Sequence, residues 1–525
     1  MYFFITNKID STPSAIELAM IKRQQLFTKH RVPAMIVTRN YVRDLHQNMH
    51  QVGLDNEFVV NMYDYFQGTT DYEGQPMTAG RYPRVDGETL EKINPKQFDV
   101  IQREQRQKSI HLNPEGNVDY VDILNPQGAV SRRDYYDTRG FLSVAQYFDE
   151  HQNIVLEQHL TPQHQPVLET FFRPNAKGQP VATHQRLLGY HGATYEFEDW
   201  DQLTAFFLDC INTEFGGHGT MIVDRSDAGM HPLVEMNTTA RKYEFLHSNF
   251  TLDPLDVVNS PIVPFTQIGL DHADQMDGFI MSTQAECDDM TNHIHNVIPT
   301  IAIPVGSVSD ARLAAAPVKF SQRTPGKIVA VARLSVEKQL DQLIKAIAYV
   351  HEKLPQVTLD IYGYGDSWTG FKEEKRLRSL VTSQQWQSFI NFKGFVHDLA
   401  PVYDQAQLMV LTSQYEGFNL GILEGLSHGV PVVAYDIKYG PGDMIEDGQN
   451  GRLIPANNLV ELGKVILSLL RQPAQLERMS EKAYGRSSRY SEAMVWQKWN
   501  DRVVQPDIHA MRGVAAYGDK RSDIG

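Results

Sequence analysis

The sequence predicts an α/β protein built from two parallel α/β domains, with an antiparallel β-meander inserted in the first. Three observations carry this. Short apolar runs such as Tyr2-Phe-Phe-Ile5, Ala34-Met-Ile-Val37 and Leu408-Met-Val-Leu411 alternate with segments of helical spacing, the pattern of strands buried on both faces. From 65 to 198 that pattern stops, and turn signals recur at short, regular intervals instead. From Leu408 to Tyr435 a strand, a loop, a helix and a strand follow one another and place two glutamates at one loop–helix junction.

Bulk properties bound the answer. A chain of 525 residues is too long for one ordinary domain, and about three are expected. Hydrophobic residues make up 42%, enough for sizeable cores, but no apolar run is long enough for a membrane helix. Met1-Tyr-Phe-Phe-Ile-Thr6 lacks a basic segment and reads as a first strand, not a signal peptide. Cys210 and Cys287 make no disulfide framework, which fits a reduced cytoplasm, and no Cys/His cluster has metal-ligand spacing. The net charge of −15 argues against nucleic-acid binding. A polyanionic acceptor would need a local basic track.

Residues 1–64 read as strand, helix, strand, with a helix from about Ser14 whose Ile16, Met20, Ile21 and Phe27 share a face. Asn113-Pro-Glu-Gly116, Asn125-Pro-Gln-Gly128, Asp137-Thr-Arg-Gly140 and Asn175-Ala-Lys-Gly178 are hairpin turns, so 65–198 is an inserted meander domain. Its Arg103, Arg106, Lys108, Arg132, Arg133, Arg139, Arg173 and Arg186 read either as strand-face charges balanced by Asp and Glu, or as a polyphosphate track or subunit contact. The helical period resumes after Trp200. Strands at Thr220–Val223, Glu244–His247 and Gly278–Met281 complete the first α/β domain, 1–64 and 199–312. His247 falls at a strand end.

Ala311–Pro325 is small and proline-containing and reads as a hinge. Lys327–Leu334 opens the second α/β domain, 318–490. Arg333 ends that strand, and Lys338 opens the helix marked by Leu340, Leu343, Ile344 and Ile347. Ends of adjacent elements can put a guanidinium and an ammonium into one crevice, a fork and a point charge suited to a diphosphate. Val357–Tyr362 is the next strand, ended by Gly363-Tyr-Gly365, which lacks the third glycine of a dinucleotide fingerprint. Helices follow around Leu459–Leu470 and Ala474–Tyr490. Residues 491–505 read as a helix crossing back to the first domain, and 506–525 as a weakly ordered tail.

Everything is organised around Thr412–Pro431. Glu416 sits in its loop and Glu424 in its helix, which Leu420, Leu423 and Leu426 mark. Gly417 lets the backbone pass close to a ligand. The first-turn amides around Phe418, Asn419 and Leu420 make an anion site at the C-terminal end of a strand.

Two glutamates eight residues apart, with Gly417-Phe418 after the first and Gly429-Val-Pro-Val-Val433 after the second, resemble the signature of family 4 retaining glycosyltransferases. That family has the GT-B fold, two facing Rossmann-like domains. Ala434-Tyr-Asp-Ile-Lys-Tyr-Gly-Pro-Gly-Asp443 is similar to a Gram-positive subgroup with an inserted meander, the poly(glycerol-phosphate) and poly(ribitol-phosphate) α-glycosyltransferases of wall teichoic acid. A sister subgroup puts GlcNAc on serine-rich adhesins.

The resemblance implies transfer of glucose, or GlcNAc, from a UDP-sugar with α configuration retained, no protein nucleophile and no metal. Arg333 and Lys338 would hold the donor phosphates with the Phe418–Leu420 amides, and Glu424 the ribose. Glu416 would bind sugar hydroxyls beside the oxocarbenium-like centre, with Gly417 and Asn419 in the same pocket. Gly363 would border the nucleotide, the Val396 backbone would face uracil, and His247 would line the acceptor side. Ser14-Ala15 stands where the family carries a Gly-Gly pair against the diphosphate, and Phe250 where the subgroup has a second histidine. The meander implies acceptor binding or a homo-oligomer, a trimer among the options, and peripheral contact with the inner membrane face stays open. Two further readings remain. The Ser14-Ala15 and Phe250 departures point to a non-catalytic acceptor-recognition subunit. A hydrolase could use Glu416 and Glu424 as a carboxylate pair, but has no use for Arg333 and Lys338.

Overall fold

A computed structural model describes residues 1–507. The chain divides into two compact units, one spanning Met1–Lys242 and one beginning at Tyr243, a division that falls inside the strand Arg241–Leu246.

In the first unit, Tyr2–Thr6 pairs in parallel with both Ala34–Thr38 and Thr220–Val223, and Ala34–Thr38 with Val59–Asn61. Every residue of Tyr2–Thr6 is buried, as a continuous apolar run predicts. The helix Ala15–Lys29 buries Ala19, Met20, Ile21, Leu26 and Phe27, whereas Ile16 stays partly exposed in its first turn.

Ten antiparallel strands, from Glu88–Asn94 to Ala193–Phe197, form the meander, each paired with its neighbours in sequence. The turn chemistry explains the regularity. Asn125 Oδ1 accepts from the amides of Gln127 and Ala129, Asn175 Oδ1 from those of Lys177 and Gln179, and Asp149 Oδ1 from those of His151 and Asn153. Gly116, Gly128 and Gly178 supply the positive φ that follows. One face closes over Val100, Ile110, Val121, Leu142 and Ala145, with Ala79 and Tyr82 packed on them.

The meander's basic residues are mostly spent internally. Arg133 grips Asp122 across the strand pair at 2.6 and 3.0 Å, Arg186 meets Glu169 at 2.8 Å, and Lys108 meets Glu88 at 2.9 Å. Arg132 pairs with Asp134, Arg139 with Asp137 and Asp64, and Arg106 with Asp99. Arg103 and Arg173 stay exposed. The polyphosphate track therefore loses six of its eight cations to neighbouring carboxylates.

The second unit holds three parallel strands, Arg241–Leu246, Gly278–Met281 and Thr300–Ala302, and a six-stranded parallel sheet. The order in that sheet is Ile390–Gly394, Thr358–Tyr362, Lys327–Val331, Leu408–Leu411, Val432–Asp436, Gly451–Pro455. The chain moves outward one way from Lys327–Val331, then returns to lay Leu408–Leu411 beside it. The order thus reverses between these two strands, and the loops leaving their C-terminal ends open a crevice at the switch point. Leu343, Ile344, Ile347, Leu462 and Ile466 pack on Ile328, Leu359 and Ile361 on one side. Ile422, Leu423 and Leu426 pack on Val329, Met409 and Leu411 on the other.

Three local readings are corrected. The segment expected as a hinge, 311–325, is structured at both ends: the helix Asp310–Ala314 runs into it, and Arg323 is 2% exposed, donating to the carbonyls of Tyr403 and Ala406 at 2.8 Å each. The helix expected at 474–490 ends at Ser487 and continues as a 3₁₀ turn. Of the weakly ordered tail expected at 506–525, residues 506 and 507 are helical and Asp507 is buried; residues 508–525 lie outside the described residues.

Candidate active site

The Lys327–Val331 strand ends two residues before Arg333, so Arg333 stands on the following loop and does not end the strand. A turn fixes it there. Gly363, at φ +140°, lies so close to the Ala332 carbonyl that an added Cβ would come within 1.9 Å of the oxygen. The Ala332 and Leu334 amides donate to the carbonyls of Tyr362 and Tyr364 at 3.0 and 2.8 Å. The Gly363–Gly365 turn therefore backs the Arg333 segment, which is what the glycine at 363 is needed for. Arg333 reaches outward, half-exposed, between Glu337 at 2.8 Å and Asp366 at 3.2 Å. Burial works against the Glu337 charge. The Ser335 hydroxyl at 2.5 Å and the Arg333 and Lys338 cations outweigh it and hold that carboxyl below its ordinary range.

Lys338 ends a 3₁₀ turn, Val336–Lys338, and the α-helix starts only at Leu340, after Gln339 in the left-handed region. This turn is stitched to the glutamate loop. Thr412 Oγ1 donates to the carbonyls of Lys338 and Gln339 at 2.9 and 3.2 Å, and the Gln414 amide to Glu337 O at 2.8 Å. Lys338 Nζ then reaches Glu416 Oε1 at 2.8 Å. That oxygen also accepts from Ser413 Oγ at 2.6 Å and Asn419 Nδ2 at 3.0 Å. Three donors converge on Oε1 and fix the position of the carboxylate.

Asn419 has a second task. At φ +78° it caps the helix Leu420–Ser427, its Oδ1 accepting from the Ile422 amide at 3.0 Å. Its side chain is thereby committed at both ends. Phe418 is buried, whereas the amides of Leu420 and Gly421 open the helix with no helical carbonyl behind them. Glu424 is half-buried on the same helix, and its Oε2 accepts from the Tyr403 hydroxyl at 3.3 Å. Burial, then the Glu424 charge, push the Tyr403 phenol well above its ordinary pKa, so it stays a donor.

Gly417 makes a close approach, but to protein: an added Cβ would lie 2.4 Å from the His247 carbonyl oxygen. This contact brings His247, just past the strand ending at Leu246, beside the Glu416 loop. The His247 ring stacks on Phe245 at 4.6 Å. Phe250 is fully buried and packs edge-on against His293, a core position. Val396 is half-buried in the loop after Ile390–Gly394, between exposed Phe395 and His397. Ser14 and Ala15 lie in the first unit. Ser14 caps the helix beginning at Ala15, in a capping box with Glu17, and Arg225 secures both Glu17 at 2.8 Å and Ser14 Oγ at 3.0 Å.

Sequence reasoning missed Thr412, Ser413, Tyr403, Glu337 and Asp366, none of which has a spacing that separates it from ordinary strand-end and loop residues. It also missed what the Asp436–Asp443 run does. The Glu416 amide donates to Lys438 O at 3.1 Å, and the Tyr439 amide to Glu416 O at 2.6 Å. Among the described residues, no cluster of three His, Cys, Asp or Glu side chains is arranged to hold a metal ion, and no helix is long and apolar enough to cross a membrane.

A basic pair and two carboxylates thus stand at the switch point of a parallel α/β domain. Residues 315–486 match the family model "Glycosyl transferases group 1". The chain is 29% identical over 320 residues to the GtfA subunit of UDP-N-acetylglucosamine–peptide N-acetylglucosaminyltransferase from Streptococcus gordonii, covering 58% of this chain and 60% of that one. It is 32% identical over 173 residues to poly(glycerol-phosphate) alpha-glucosyltransferase from Bacillus subtilis, covering 33% and 25%. The chain thus spans less than two thirds of either relative's length. The pneumococcal O-GlcNAc transferase GtfA, solved in complex with UDP and GlcNAc, superposes with a TM-score of 0.78 at 21% identity, over 97% of this chain and 99% of that one. The fold is GT-B with an inserted antiparallel sheet.

Proposed function

We propose that this protein transfers a hexose, glucose or GlcNAc, from a UDP-sugar to a hydroxyl acceptor with retention of α configuration. The observation that carries the reading is the convergence of Arg333, Lys338, Glu416 and Glu424 on the C-terminal edge of the six-stranded sheet. Arg333 exchanges its Glu337 and Asp366 partners for the donor diphosphate, and Lys338 neutralises charge growing on the leaving phosphate, helped by the Leu420 and Gly421 amides. With this basic pair in place the reading needs no metal. Glu424 accepts from the ribose hydroxyls. Glu416 Oε2 accepts from the sugar, where its charge favours an oxocarbenium-like centre. The reading uses no protein nucleophile. The leaving diphosphate deprotonates the incoming hydroxyl on the same face, so positioning and electrostatics do the catalysis.

The Asp436–Asp443 run, and the similarity to the Bacillus subtilis relative, favour a poly(glycerol-phosphate) or poly(ribitol-phosphate) acceptor, with the meander as oligomer or acceptor module. Two observations favour serine hydroxyls of an adhesin instead: the meander's cations are largely paired, and the longer sequence match is to a peptide GlcNAc-transferase subunit. The test is UDP release with UDP-glucose and UDP-GlcNAc in parallel, each with purified poly(glycerol-phosphate), poly(ribitol-phosphate) or a serine-rich polypeptide. Acceptor-dependent release with one pair establishes transfer and names both substrates. Measurable UDP binding without release from any pair would replace transfer with the acceptor-recognition reading.

A further inference from the structure

We infer that Asp289, on the helix Gln284–His293, is a positioning residue for Glu416 and acts through Lys438 and Tyr439; this rests on the transfer reading above. Asp289 Oδ2 accepts from Lys438 Nζ at 2.6 Å and from the Tyr439 hydroxyl at 2.7 Å. These two residues also exchange backbone hydrogen bonds with Glu416 in both directions, 3.1 Å to the Lys438 carbonyl and 2.6 Å from the Tyr439 amide. One carboxylate therefore anchors both side chains of the dipeptide whose main chain clamps the site glutamate. The next residue, Gly440, extends the seam at φ +95°: a Cβ there would come within 2.0 Å of the Phe418 carbonyl oxygen.

The anchor belongs to a different sheet system from the glutamate. Asp289 is on the helix after Gly278–Met281, and Glu416 on the loop after Leu408–Leu411. Gly417 against the His247 carbonyl is a second tie between the same two systems, so the Glu416 backbone is held from two sides. Arg333 and the Lys338 turn have holds of their own beside the six-stranded sheet, Arg333 through Asp366 and the turn through Thr412.

The Tyr439 hydroxyl cannot be left alone. Tyr439 is 2% exposed, and burial, followed by its bond to Asp289, drives its pKa up, so it remains a donor. Without Asp289 this buried donor loses its acceptor and the segment must shift to find one. Glu416 would move with it, while the Lys338 main chain keeps its Thr412 donor and Arg333 its Asp366 partner. Sub-ångström misplacement of a group beside the reacting centre lowers turnover and leaves nucleotide affinity intact.

The test compares wild type with Asp289→Ala, Asp289→Asn and the double variant Lys438→Met/Tyr439→Phe. UDP release, UDP affinity and amide hydrogen exchange of 413–420 and 436–441 are measured. Asp289→Ala is expected to lower kcat by about 10–100-fold with UDP affinity within about three-fold of wild type, with Asp289→Asn intermediate. Exchange at the Glu416 and Tyr439 amides should quicken by about ten-fold or more, while Leu408–Leu411 is unchanged. Adding Asp289→Ala to the double variant should lower kcat no further, because both act through one seam. Unchanged kcat in Asp289→Ala, equal loss of kcat and UDP affinity, or additive effects would overturn the inference. Wild type without turnover on any pair would overturn the transfer reading instead. In that case the exchange data decide alone, and unchanged exchange at Glu416 refutes the positioning role.

Discussion

Lys338 Nζ lies 2.8 Å from Glu416 Oε1, so the cation proposed for a donor phosphate and the carboxylate proposed for the donor sugar are each other's counterions. Their side chains are only 14% and 10% exposed, which makes the pair sensitive to loss of either partner. Lys338→Ala should lower turnover by about 100-fold or more. It should also cost about 1–3 kcal/mol of stability, because Glu416 keeps its Ser413 and Asn419 donors but loses its countercharge. Thermal melts beside UDP-release rates check both halves.

The two glutamates should separate kinetically. Glu416→Gln keeps the shape of the loop but removes the charge facing the sugar, so kcat should fall by about 100-fold or more while UDP affinity holds. Glu424→Ala removes a charge-assisted acceptor worth about 1.5–3 kcal/mol and should weaken UDP by roughly 10–100-fold. Calorimetric titration of UDP against each variant makes the comparison.

Gly363→Ala tests the backing of Arg333. At φ +140° any side chain is strained, and the Cβ would strike the Ala332 backbone at 1.9 Å. The variant should lose about 2 kcal/mol or more and bind UDP less well, because relieving the clash moves the Arg333 segment. Native-like stability and affinity in this variant would show that the turn has no such role.

A buried acid should mark the pH dependence of stability. Glu286, on the helix that carries Asp289, is fully buried. Burial, and after it the Asp443 and Asp289 charges, push its pKa well above 4.5, against the opposing Ser282 backbone. The folded state thus keeps a proton that the unfolded chain releases. Its stabilising contribution is complete below 4.5 and is lost as pH rises toward the folded pKa, at about 1.4 kcal/mol for each step of one in pH. Glu286→Gln should match wild type in Tm near pH 4.5 and exceed it by pH 8. A constant difference across that range would locate the effect elsewhere.

The strands, the meander and the glutamate motif were legible because each has a local cause. Leu408–Leu411 and Gly278–Met281 are continuous apolar runs, and the hairpins announce themselves through Asn, Asp and Gly at fixed offsets. The fold class and the glycosyltransferase family domain followed from these and from the motif's flanks. What stayed hidden depends on residues far apart in sequence. Asp289 reads as one more acid on a polar helix until the fold brings it to Lys438 and Tyr439. Gly417 and Gly363 read as room for a ligand, yet the close neighbours of both are carbonyl groups of the protein itself. The meander's arginines read either as balanced strand-face charges or as a track, and strand pairing, which sets Asp122 and Glu169 opposite Arg133 and Arg186, was not in the local sequence to decide it.

The central claim is that Arg333, Lys338 and Glu424 bind the diphosphate and ribose of a nucleotide sugar. Equilibrium binding of UDP tests it most directly, in wild type, in Arg333→Ala/Lys338→Ala and in Glu424→Ala, with circular dichroism confirming that each is folded. The prediction is saturable binding by wild type, weakened by about 100-fold or more in the double variant and by roughly 10–100-fold in Glu424→Ala. No binding by wild type, or equal affinity in all three, would contradict the account.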